Sequence, residues 1–120
     1  MALNTVYFLP AADRDAALLL AGLLNSLPAR VFARAIAERA KDARFRFFAW
    51  TLSCLPVPDG WREGPGAEEM LAISAGAHEA GGIEPGAAAR LDELAGALYG
   101  LGAEEMAAMA SFDRWLRGEA

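Results

Sequence analysis

The chain has 120 residues and a net charge of −5 from 11 basic and 16 acidic side chains, with 55% hydrophobic residues, one Cys and one His. That length suits one domain whose core needs no covalent staple, and a lone Cys excludes a disulfide framework. The acidic balance argues against a dedicated nucleic-acid binder, whose domain is strongly basic as a rule.

Much of the hydrophobic fraction is Ala, the best helix former, so the composition reads as helical rather than membranous. The longest unbroken apolar run, 16–21, reaches Leu24 only across Gly22. A bilayer needs roughly 20 such residues, and no span is expected. No basic region precedes the apolar residues 3–9, which therefore do not read as a secretory signal. With the single Cys, this favours a cytoplasmic protein. Ten Arg against one Lys, with abundant Ala and Gly, suggests a GC-rich bacterial source.

Residues 3–9, Leu-Asn-Thr-Val-Tyr-Phe-Leu, are rich in β-branched and aromatic side chains and stop at Pro10, which predicts a short extended arm. A lone strand is poorly stable, so the arm either lies on the helices or pairs with its copy in a dimer. Asp13 is placed to cap a first helix running to about residue 25. Nearly every position from 16 to 24 is apolar, so this helix is either surrounded by its own protein or part of a subunit interface. Ser26 as cap and Pro28 in the first turn start a second helix over 28–42, with Phe32 and Ile36 inward and Arg30, Arg34, Glu38 and Lys41 outward.

A third helix is predicted over 43–55, holding three of the six Phe, Trp50 and Cys54. Phe45, Phe48, Leu52 and Leu55 form one stripe, with Phe47, Trp50 and Cys54 on the opposite side, and two apolar faces imply a central position. Residues 56–66 are a Pro/Gly loop. Trp61 within it either folds back as a plug or stands out as an anchor for a partner. Three more helices follow, over 67–80, 85–99 and 103–117. In the last, Phe112, Trp115 and Leu116 share a face with Met109 that is expected to close the core. Gly-Ala-Glu-Glu-Met occurs at 66–70 and again at 102–106. Two helices opened by the same acidic first turn explain this better than a repeat array does.

The predicted fold is therefore all-α: a single-domain five- or six-helix bundle with an extended N-terminal arm, halves 1–55 and 67–120 being joined by the loop 56–66. Residues 1–58 carry +3 and residues 59–120 carry −8. Such halves pair within the fold, or else the asymmetry steers a partner.

Candidate chemistry is sparse. His78 and Glu79 are adjacent and so diverge by about 100° on a helix. Cys54 lies among aromatics, where burial makes a thiol inert. The acid pairs Glu68-Glu69, Asp92-Glu93 and Glu104-Glu105 read as solvated faces. No nucleophile elbow, phosphate loop or metal-ligand spacing is present, and no cofactor or metal is expected. The basic cluster Arg30, Arg34, Lys41 and Arg44 is suited to an acidic protein surface, the chain's own C-terminal half included. Glu38 and Asp42 interrupt it, which argues against nucleic acid. The resulting expectation is a non-enzymatic interaction module: a small bacterial adaptor, immunity-type or regulatory protein. It would bind a protein partner through the basic cluster and Trp61, and dimerise through the first helix or the arm. The alternative is a binding protein for an apolar or anionic small ligand, its pocket lined by Trp50, Cys54 and Trp115.

Overall fold

The computed structural model describes residues 11–36, 38–39, 45–46 and 55–118, and among these described residues the regular structure is five helices and one short ladder. The helices are α1 (Arg14–Leu24), α2 (Leu27–Ile36), α3 (Ala67–Ala80), α4 (Pro85–Leu98) and α5 (Ala103–Leu116). Between α2 and α3, β1 (Glu38–Arg39) pairs antiparallel with β2 (Phe45–Arg46), setting Glu38 opposite Arg46 and Arg39 opposite Phe45. The fold is the all-α bundle that the composition predicts. The N-terminal arm lies outside the described residues.

Asp13 caps α1 as expected, its Oδ1 accepting the Ala16 N–H at 2.8 Å. The same carboxylate takes two hydrogen bonds from Arg62 Nη2, at 3.1 and 2.9 Å, and so ties the 56–66 loop to the start of α1. The chain then turns by 66° into α2. At that elbow the Ser26 hydroxyl does not cap α2. It donates to the Leu23 carbonyl at the end of α1, while the first amide of α2, Leu27 N–H, donates to Asp92 Oδ1 at 2.8 Å. The cap thus comes from α4. The two acidic pentapeptides open α3 and α5 from differently shaped glycines. Gly66 is left-handed, with φ +83°, and Gly102 is extended. Only at the second does the glycine amide donate to the following Glu, Gly102 N–H to Glu105 Oε1 at 3.4 Å. Both pentapeptides start helices, and their caps differ.

The core is built from Leu19 and Leu23 of α1, Ala67 and Met70 of α3, and Leu91, Leu94 and Ala95 of α4. Each fully buried Leu or Met contributes about 1.5–3 kcal/mol. The inward leucines of the apolar first helix are thus covered by the chain itself, Leu18, Leu19 and Leu23 all being buried. Gly22 lies at this contact, where a Cβ would stand at an ordinary van der Waals distance of 3.4 Å from both Leu91 and Met70. Ser74 of α3 is bound into the same interface, its hydroxyl donating to the Leu18 carbonyl at 2.6 Å. The core draws on both halves of the chain, so the loop 56–66 joins two interlocked pieces.

Three sequence expectations are corrected. The second helix ends at Ile36 instead of about 42, because residues 37–42 offer no large apolar side chain to continue its buried face. The third helix does not include 45–46, which are extended and paired, and Leu55 lies outside any helix; residues 47–54 lie outside the described residues. Finally, α5 is rotated from its expected setting. Its inward residue is Asp113, 2% exposed, while Trp115 is 63% exposed.

Candidate functional site

Five charged side chains explain that rotation. Arg34 on α2 donates through Nη1 to Asp113 Oδ1 on α5, and Arg117 Nη2 reaches Asp113 Oδ2 at 2.8 Å. Arg30, one turn before Arg34, lies 3.9 Å from both Asp113 Oδ2 and Asp92 Oδ1. A carboxylate this buried is stable only with counter-charges and hydrogen bonds, and three guanidinium groups supply them. The basic and acidic halves therefore meet inside the fold, as one of the two readings of the charge asymmetry required. Asp92 ties α2 to α4 in the same way, through the Leu27 amide and the Arg30 charge.

Beside this seam, α1, the C-terminal end of α3 and the start of α4 enclose an open cleft of about 600 Å³. Leu18 and Leu91 contribute buried apolar walls, and Ile83 stands at the margin, 42% exposed. The polar rim consists of Asn25, Arg30, His78 and Asp92. Arg30 Nη1 donates to the Asn25 carbonyl at 2.6 Å. Its other contacts, at 3.9 Å, are ionic and too long to be hydrogen bonds. His78 is exposed on α3, and Glu79 turns away from the cleft.

A third feature is the outer face of α5. Phe112 and Trp115 stack there with ring centroids 5.8 Å apart and planes 23° from parallel. Comparison with known protein families, with curated proteins and with solved structures finds no match. The reading of function therefore rests on these surfaces alone.

Of the residues singled out in the sequence, Arg30 and Arg34 face the chain's own Asp92 and Asp113. Trp61 is the plug, half-buried against the core with the Arg62 guanidinium 5.8 Å over its ring. Tyr99 secures the same loop by donating its hydroxyl to the Pro56 carbonyl at 2.7 Å, and burial pushes its phenol pKa up. Trp115 lies exposed on α5. Lys41, Arg44, Trp50 and Cys54 lie outside the described residues. Among the described residues no group of three or more His, Cys, Asp or Glu is arranged to hold a metal. No single described helix is long and apolar enough to cross a membrane.

The sequence reading missed Asp92 and Asp113. Asp92 was grouped with Glu93 as a solvated acid, yet its side chain is only 26% exposed against 68% for Glu93. One signal was present for Asp113: it lies four residues before Arg117, on the side of α5 opposite Trp115.

Proposed function

We propose that this chain is a non-enzymatic interaction module of the adaptor or regulatory kind, whose contact surface is the outer face of α5 and whose partner there is a second copy of the chain. The observation that carries this reading is the stacked Phe112–Trp115 pair, held facing outward because Asp113 fixes the opposite side of the helix. Aromatic anchors of this kind, with Arg114 beside them, are the residue types that dominate interface energetics.

The occupant follows from the rest of the face. Glu104, Ala108, Ser111 and Trp115 recur at spacings of four, three and four, so they form one stripe, and all are exposed. It runs from an acidic end through small residues to an aromatic and basic end. Two such stripes packed antiparallel about a two-fold axis set each Trp115 over the partner's small residues, near its Glu104, where the indole N–H finds a carboxylate. The first-helix interface expected from sequence is replaced by this one, since the inward leucines of α1 serve the chain's own core.

Sedimentation equilibrium of the full chain is the test. A dimer is expected, and Trp115→Ala should weaken it by about 2 kcal/mol or more, roughly thirtyfold in dissociation constant. A strict monomer at high concentration, or a dimer indifferent to Trp115→Ala, would overturn the proposal.

A further inference from the structure

The cleft between α1, α3 and α4 has a different chemistry from the α5 face. We infer that it is a binding site for a small amphipathic monocarboxylate, with the tail on Leu18, Ile83 and Leu91 and the carboxylate at Arg30 and His78. Its volume, about 600 Å³, lies in the range that holds drug-sized ligands. Its walls are mostly apolar, and Ile83 extends a large β-branched side chain into solvent at the margin, where a tail would cover it.

Arg30 supplies the recognition of charge. Among the described residues only one of its N–H groups has an acceptor at hydrogen-bond distance, the Asn25 carbonyl. Asp92 and Asp113 hold the guanidinium in place at 3.9 Å without taking its hydrogens. Asp92 Oδ1 is engaged by the Leu27 amide. A planar fork fixed in this way is ready for a carboxylate, and the His78 imidazole N–H offers a further donor on the rim. Specificity for a single negative charge comes from the same neighbours. Arg30, Arg34 and Arg117 against Asp92 and Asp113 leave one net positive charge, which a single carboxylate neutralises, whereas a dianion brings one uncompensated negative charge into a largely apolar cleft.

The experiment is a ¹H–¹⁵N titration of the full chain with octanoate, with octanol as the uncharged control and octyl phosphate as the dianionic one. Octanoate should shift the Leu18, Ser74, His78 and Ile83 amides saturably, and both controls should bind about tenfold more weakly or worse. Arg30→Gln should weaken octanoate by about tenfold or more. Because Arg30 also contacts Asp92 and Asp113, a second variant guards against misfolding: Ile83→Glu, on the exposed α3–α4 turn, sets a repelling carboxylate at the margin and should weaken octanoate by a similar factor. The inference is overturned if octanoate gives no saturable shifts, if its shifts centre on Phe112 and Trp115, if octanol binds as tightly, or if Ile83→Glu leaves binding unchanged.

Discussion

Asp113 decides more about this fold than any aromatic residue on its helix. Its carboxylate, 3% exposed, is matched by Arg34, Arg117 and the more distant Arg30, whose side chains are 26%, 50% and 36% exposed. Removing one partner of a dry ion pair costs about 3–5 kcal/mol, and the wetter arginines reduce that here. Asp113→Ala should therefore lose about 2–4 kcal/mol in urea unfolding; a loss within the ordinary surface range of about 0.5 kcal/mol would mean the seam holds nothing together. The exposed carboxylates act through pH instead. Asp13 is held below the ordinary aspartate range first by the Ala16 amide and then by Arg62, and Glu69 is held low by its hydrogen bonds from Arg90. A carboxylate that binds its proton more weakly when folded stabilises the native state above its unfolded pKa, about 4, and loses that contribution as pH falls through the folded value. Stability should thus decline on acidification below about pH 4. Unfolding curves of Asp13→Asn across that range should show a shallower decline than those of the parent chain.

At the scale of the element, caps show what a sequence can and cannot reveal. The start of α1 is legible because its cap is local: Asp13 and the amide it holds are three residues apart. The start of α2 is not, because Ser26 turns back to α1 and the cap arrives from Asp92, 65 residues away. Asp92→Ala should accordingly cost about 1–2 kcal/mol, the scale of a lost helix cap. Glu93→Ala, on an exposed position one residue later, should stay within about 0.5 kcal/mol. Thermal unfolding of the pair of variants separates the two, and equal effects would remove the capping role. The setting of α5 was illegible for a related reason. Periodicity ranks Phe112 and Trp115 above Asp113 for burial, and only the arrival of Arg30 and Arg34 on a neighbouring helix reverses that order. The candidate cleft escaped the sequence entirely, since Leu18, Arg30, His78 and Ile83 come from separate segments. The helical class and the single shared core were legible, because Ala content and the apolar spacing of residues 16–24 and 67–98 are local signals.

On the scale of the whole molecule, the two halves are interdependent in both packing and charge. Leu19 and Leu23 come from the first half, while Ala67, Met70, Leu91, Leu94 and Ala95 come from the second, and the two sets pack into one cluster. Across the same boundary run Arg34 to Asp113, Arg30 to Asp92 and Arg62 to Asp13. Cutting the chain in the exposed loop, after Pro58, separates a half of charge +3 from one of −8. Each fragment should lack a cooperative thermal transition by circular dichroism, because a helix without its apolar partner is marginal in water. Mixed, they should regain the helical signal and the transition. Their opposite charges should speed encounter at low salt and slow it as the screening length shrinks from about 10 Å at 0.1 M to about 3 Å at 1 M. Association at a salt-independent rate would place the charge asymmetry outside the folding interface. A second half that unfolds cooperatively by itself would show that the core does not need α1.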